Sequence, residues 1–430
     1  MTLWADHAIF WHVYPLGFVG AAKEAPLQTG VAHPLGRFEG WLDYLTDLGC
    51  SGLMLGPIFA SASHGYDTVD HFRIDPRLGD DADFERLQRL ASEHGLHLVL
   101  DGVFNHVGRA FPKFVEAECA PESAAGRWFR RRDGGWDTFE GHDQLVCLNH
   151  DEPEVLDYVV QVLRHWLDRG ASGWRLDAAY AVPTGFWRKA IEQVRETHPE
   201  AWFVAEVIHG DYGDFARASG VDSVTQYELW KAIWSSLNDG NFFELEWTLQ
   251  RHNDFLASTT PLIFVGNHDV TRIGTRVEDE RRLQHALVAL LTVGGIPSIY
   301  AGDEQAFRGV KEDRVGGDDA VRPEFPPTPG GLAPFGWATY RLHQRLIGLR
   351  RRHPWLVRAR TETLQVANES LAFRTFDPDH PARQLVVLLN IGASAVSFDL
   401  QPGGLDRLEG SGEHSGDVVE AHGWRILGSH

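Results

Sequence analysis

Short apolar, β-branched runs alternate with longer segments of helical period along most of the chain, the pattern of strand–helix units around a parallel sheet. Eight runs read as strands: IFWHVYP from residue 9, GLMLGP from 52, LHLVLDGVF from 96, GWRLD from 173, AWFVAEV from 201, DSVTQY from 222, PLIFVGN from 261 and GIPSIY from 295. Between them FEGWLDYLTDL from 38, FERLQRLASEH from 84, EVLDYVVQVLRHWLDRG from 154 and DERRLQHALVALLTVGG from 279 read as helices. Eight such units predict an α/β fold, a (β/α)8 TIM barrel, with its active site at the C-terminal ends of the strands. A doubly wound open sheet would also bind ligands there, but no GxGxxG follows the first strand.

The pattern breaks twice. Residues 107–151 carry RRRDGGWDTFEGHDQ and little periodicity, too long for a βα loop, and read as a short inserted subdomain after the third strand. After ATYRLHQRLIGLRRRH, the presumed eighth helix, the short alternating runs SLAFRTF, RQLVVLLNI, AVSFDL and WRILG predict a C-terminal antiparallel β domain over 355–430. That leaves 1–106 and 152–354 for the barrel.

Charge narrows the partners. With 40 Lys plus Arg against 60 Asp plus Glu, the formal net charge is -20, which repels nucleic-acid phosphates and acidic membranes. A neutral sugar carries no such penalty, and 15 Trp with 9 Tyr can supply faces for sugar rings. Cys50, Cys119 and Cys147 have no metal-like spacing, so no disulfide framework is expected. The opening MTLWADHAIFWHVYPLGF has no signal-peptide pattern, and the chain reads as a soluble cytoplasmic protein, a trimmed secreted form being the alternative.

Asp101, Asp177, Glu206 and Asp269 all follow strand runs. One such acid is more often a helix cap or a surface ion pair; several on facing strand ends point to chemistry. Cleaving a glycosidic bond with retention needs a carboxylate nucleophile and a proton-donating carboxyl about 5–5.5 Å apart, a spacing that neighbouring strand ends supply. Arg175, two residues before Asp177, shares its side of the strand and is expected to keep Asp177 ionised. Glu206 follows the apolar run WFVA, a setting expected to favour its protonated form. His106 and His268 are candidates for hydrogen bonds to sugar hydroxyls, and no HxH or HExxH pattern argues for a catalytic metal.

DGVFNHVG at 101, GWRLDAAY at 173, EVIH at 206 and VGNHDVTR at 265 resemble, in order, the four consensus regions of the α-amylase family of glycoside hydrolases. HGYDTVDHFRIDPRLGD at 64, CLNHDEPEV at 147 and GGIPSIYAGDEQ at 294 are similar to its supporting regions. The resemblance implies that Asp177 is the nucleophile, Glu206 the general acid/base and Asp269 the residue that stabilises the transition state. It implies substrate contacts for Tyr66, Asp67, His106, Arg175, His268 and Arg322, with Tyr66 as a platform under the sugar. Asp101 would be structural and Asn105 a candidate calcium ligand. Ala178, Ala179 and Tyr180 stand where many calcium-dependent members continue toward a Lys-His pair, so no cofactor is expected to be required.

The expected activity is hydrolysis of α-1,4 glucosidic bonds in maltooligosaccharides, starch-like glucans or related α-glucosides through a covalent glycosyl-enzyme. A glucanotransferase or α-glucoside isomerase would use the same intermediate, and a noncatalytic sugar-binding barrel would be expected to lack one of the acids. Oligomeric state is not legible.

Overall fold

The computed structural model describes residues 4–24, 30–314, 316–400, 405–412 and 417–428. All eight expected barrel strands form: β1 (Phe10–Val13), β2 (Gly52–Leu55), β3 (His97–Val103), β4 (Gly173–Asp177), β5 (Trp202–Ala205), β6 (Ser223–Val224), β7 (Leu262–Phe264) and β8 (Ile296–Tyr300). They pair in parallel in the order β6-β5-β4-β3-β2-β1-β8-β7. A parallel bridge between Thr225 and Leu262, with Gln226 N–H donating to Leu262 O at 2.9 Å, closes the ring.

Side chains alternate along a strand, so every second residue faces the barrel interior. Low in the barrel those residues are apolar: Phe10, Met54, Val99, Trp202, Val204 and Ile296 belong to one buried cluster, with Trp4 packed against it. Phe10 stacks on Trp202 at 5.1 Å, and a Cβ on Gly52 would lie 2.4 Å from the Phe10 ring, so the bulky ring fits because its neighbour is glycine. One step up, the same alternation brings in His12, Asp101, Arg175 and Glu206, all buried. Asp101 lies inside β3 and not after it, as the sequence had suggested.

The segment from 38 is a 3-10 helix (Pro34–Trp41) before an α-helix (Leu42–Leu48), in a stretch holding Gly36 and Gly40, which weaken an α-helical interior. Asp81–Glu93 starts on an Asp80 capping box, and Pro153–Asp168 and Leu283–Thr292 form as expected. Two helices follow β6, Tyr227–Asp239 and Phe243–Leu256, joined at Gly240 in the left-handed region (φ 62°). The excursion after β3 is anchored by antiparallel pairing of His106–Gly108 with Leu145–Cys147 and contains the helix Pro112–Cys119.

Beyond the helix Trp337–Arg352 a five-stranded antiparallel sheet forms from β9 (Arg360–Val366), β10 (Ser370–Phe376), β11 (Gln384–Asn390), β12 (Asp406–Gly410) and β13 (Trp424–Gly428), in the order β9-β10-β11-β13-β12. It docks on the barrel through His285, whose Nε2 lies 3.1 and 2.9 Å from the carbonyls of Asn390 and Gly423, and through Trp424 Nε1, which donates to Gln284 at 2.7 Å.

Candidate active site

Arg175 organises the site. From β4 its Nη1 donates to both oxygens of Asp101 (2.8 and 2.7 Å) and to Asp177 Oδ1 (3.1 Å), and its Nη2 donates to Glu206 Oε1 (2.6 Å). Leu176 pairs with Ala205 across β4 and β5, so Asp177 and Glu206 are the next neighbours up, and Glu206 N–H donates to Leu176 O at 3.0 Å. Ala178, immediately after Asp177, takes the left-handed conformation (φ 43°), and its N–H donates to Glu206 Oε2 at 2.9 Å. Tyr227 OH donates to Glu206 Oε1 at 3.2 Å and accepts from Asn267 Nδ2 at 2.9 Å.

Asp269 stands after β7. Its N–H donates to Asn267 Oδ1 (2.9 Å), His268 Nε2 lies 2.9 Å from its Oδ2, and Arg322 Nη2 donates to its Oδ1 (2.8 Å). Arg322 also donates from Nε to His268 O at 3.0 Å, and its guanidinium lies over the Tyr14 ring. It is therefore an integral support of Asp269. Tyr66 OH donates to Asp101 Oδ2 at 3.2 Å and contacts His268 Nε2, while His106 Nε2 lies 3.1 Å from Tyr66 O.

One guanidinium shared by three buried carboxylates cannot neutralise them all. Burial and then the Glu206 charge push the Asp177 carboxyl well above its ordinary range, against the opposing pull of Arg175. Asp101 is raised by burial, with Arg175 opposing. Packing also pushes Asp269 up, but His268, Arg322 and Arg175 more than offset it and hold its carboxyl well below the usual range. Arg175 is divided among three acids, so its pull on Asp177 is outweighed where the sequence had suggested it would prevail, and Glu206 sits not in an apolar setting but among three donors, Arg175, Ala178 N–H and Tyr227.

A cleft of about 860 Å³ opens above these groups, with Asp177, Glu206, Asp269, Tyr66, His106 and Arg322 on its wall. Arg175 and His268 are buried behind that wall and act on the acids. Asp67 does not reach it: its buried carboxylate accepts from Ser63 Oγ at 2.6 Å, bracing the loop that carries Tyr66.

The Alpha amylase, catalytic domain model matches residues 35–143 and 138–327. The chain belongs to the alpha-amylase family. It is 31% identical over 337 residues to a cyclomaltodextrinase of Bacillus sp, covering 71% of this chain and 60% of that protein. It is 30% identical to neopullulanase 2 of Thermoactinomyces vulgaris, covering 81% and 64%. The chain thus spans less than two thirds of the length of these relatives. A cyclic alpha-maltosyl-(1-->6)-maltose hydrolase from Arthrobacter globiformis shares its fold, with TM-score 0.83 and 24% identity over the whole of both chains. The debranching enzyme of Nostoc punctiforme superposes with TM-score 0.79 at 26% identity over 99% of both.

In this alpha-amylase family chain the surroundings of Asn105 do not suit calcium. Calcium takes about six to eight oxygens. Asn105 Oδ1 is buried without a protein partner, but its Nδ2 lies 3.1 Å from His106 Nδ1 and its backbone carbonyl accepts from Leu148 N–H. The neighbouring Phe104 carbonyl is occupied by His150 Nε2 at 2.9 Å. Among the described residues, the one group of three His, Cys, Asp or Glu side chains close enough to share an ion is His33, Asp80 and Asp83, away from the cleft, and its carboxylates already cap a helix.

Sequence reasoning missed Tyr227, Trp230, Tyr180, Glu140 and His64, all on the cleft wall. Tyr227 ends the run DSVTQY, so its position after a strand was a usable signal. Glu140 gave none, because its partner Tyr180 is brought to it only by the folded excursion.

Proposed function

We propose that the chain is a retaining α-glycosidase that hydrolyses α-1,4 glucosidic bonds of maltooligosaccharides, starch-like glucans or related α-glucosides. The observation that carries this is the pair Asp177 and Glu206, adjacent in register on neighbouring strands and bonded to the two terminal nitrogens of one guanidinium. Neighbouring strands run about 4.8 Å apart, close to the 5–5.5 Å of retaining pairs and short of the roughly 6.5–9.5 Å of inverting ones. The names of the relatives, cyclomaltodextrinase, maltogenic alpha-amylase and neopullulanase, agree with this substrate class.

In this reading Asp177 attacks the anomeric carbon while Glu206 gives a proton to the departing glycosidic oxygen. Asp269, kept anionic by Arg322, stabilises positive charge at the sugar ring, and Tyr66 lies under that ring. Glu206, now ionised, then takes the proton of the attacking water. No metal enters any step. The neutral substrate suits the acidic chain, and the intracellular maltogenic amylase among the relatives supports a cytoplasmic setting.

The half-buried rings of Tyr180 and Trp230 on the Glu206 side favour, as a second outcome, capture of the same intermediate by a sugar. Time-resolved proton NMR on maltotriose, cyclomaltodextrin, pullulan and starch, with Asp177→Asn as control, tests the reading. Release of the α-anomer by wild type alone is the expected result, and first release of the β-anomer or no cleavage of any of these would overturn it.

A further inference from the structure

The loop that carries Asp269 is anchored at both ends on the chain just beyond β8. At its start it meets Asp303: a Cβ at Gly266 would lie 2.1 Å from Asp303 Oδ2, so the carboxylate packs directly on the backbone three residues before Asp269. At its end Arg272 donates from Nη1 to Asp303 Oδ1 and to Ala301 O, both at 2.9 Å, and its N–H donates to Gly309 O at 3.1 Å. Arg272 and Asp303 are both buried, and the guanidinium lies over the Tyr300 ring, 4.4 Å from its centre. Tyr300 OH donates to Val321 O at 2.8 Å, beside Arg322, whose Nη2 holds Asp269. The contacts close a circuit from Asp269 through Arg322, Val321, Tyr300, Arg272 and Asp303 to Gly266, and back to Asp269 along the chain.

Arg272, Tyr300 and Asp303 do not line the cleft, so they reach a sugar only through Asp269 and Arg322. A buried ion pair is a poor source of stability, because desolvation of the two charges offsets their attraction. This one is also sparsely supported: Asp303 Oδ2 and Arg272 Nε and Nη2 have no hydrogen-bond partner among the described residues. Burial pushes the Asp303 carboxyl up to about 7, with Arg272 opposing and the neighbouring Glu304 adding to the rise. What the pair does supply is a fixed place for the loop, and a charge stabilises a transition state only where it is fixed in advance. A misplacement of about 1 Å can cost about 10²-fold in rate.

We infer that Arg272 and Asp303 are positioning residues for Asp269, fixing the loop from Gly266 to Arg272 so that the Asp269 carboxylate stays aimed at the positive charge developing on the sugar. The inference rests on the retaining glycosidase reading of that carboxylate.

The test compares two competitors of maltotriose hydrolysis at about pH 8, where Asp303 is mostly ionised. Isofagomine carries an ammonium at the anomeric position, and 1,5-anhydroglucitol is a neutral ring of similar size. Their inhibition constants do not depend on the fraction of enzyme that is folded, so a loss of active protein alone leaves the ratio of the two unchanged. Asp303→Ala and Arg272→Ala should each weaken isofagomine about tenfold relative to 1,5-anhydroglucitol, the size of one bond to a charged group, with kcat falling alongside. Arg272→Lys keeps the charge and should lose less. Asp303→Asn keeps the shape without the charge and should shift the ratio about threefold. If the alanine variants do not fold, Asp303→Asn decides. A ratio within twofold of wild type in both alanine variants, or an unchanged ratio in Asp303→Asn where it decides, overturns the inference while leaving the glycosidase reading intact. Wild type that cuts no maltotriose overturns both.

Discussion

Arg322 and His268 grip different oxygens of Asp269: Arg322 Nη2 lies 2.8 Å from Oδ1, and His268 Nε2 lies 2.9 Å from Oδ2. A carboxylate aimed at developing positive charge is useful only while it stays ionised, and these two groups keep it so. Arg322→Ala should lower kcat/KM for maltotriose by about 10²–10³-fold, with Arg322→Lys losing less. Steady-state kinetics checks this, and a loss below fivefold in the alanine variant would remove Arg322 from the site's electrostatics.

Asp177 binds its proton more tightly folded than unfolded. Its contribution to stability is therefore present in full below the ordinary carboxyl value of 3.8 and is lost as pH rises through the raised folded value. Asparagine suffers no such loss. Asp177→Asn should be inactive by at least about 10³-fold yet melt with wild type near pH 4 and about 2 °C or more above it at pH 8. Calorimetry across that range decides, and an unchanged difference at both pH values would contradict a raised Asp177 carboxyl.

The acid side is governed by histidines. Burial holds His71, His150, His252, His285 and His343 each at about 4, below the ordinary 6.5. A neutral histidine in the fold stabilises above the unfolded value, and that stability is lost as pH falls from 6.5 toward 4, at up to about 1.4 kcal/mol per pH unit for each group. Urea midpoints should fall steeply between pH 6.5 and 4.5. A flat profile there would mean that these rings are charged in the fold.

Prolonged dialysis against EDTA should move Tm by less than about 1 °C, because His150 and the Leu148 N–H occupy carbonyls that a cation at Asn105 would use. A larger fall, reversed by added calcium, would show that the Asn105 cluster rearranges around an ion.

The barrel was legible because its strands are short apolar runs with turn residues between them, and the acids because Arg175, Asp177 and Glu206 follow the two-residue alternation of β4 and β5. Strands β9 and β12 were not, since RTETLQV and DRLEG carry charges and polar residues suited to the edges they occupy. The state of Asp177 was misread for a reason the chain cannot display: proximity in sequence gave it Arg175 undivided, whereas the fold shares that cation with Asp101 and Glu206. Asp67 stands beside Tyr66 in sequence, yet its side chain turns under the loop to Ser63.

The parallel pairing of β1 with β8 sets an order of events during synthesis. Phe10–Val13 finds one neighbour, β2, within some 40 residues, but its other neighbour, Ile296–Tyr300, emerges from the ribosome almost 300 residues later. At about 5–20 residues per second that edge waits at least roughly 15 seconds, unpaired, for its closing strand. A nascent chain released before residue 300 would carry Asp177, Glu206 and Asp269 on a sheet still open between β1 and β7, so assembly of the three acids coincides with the last strand to arrive.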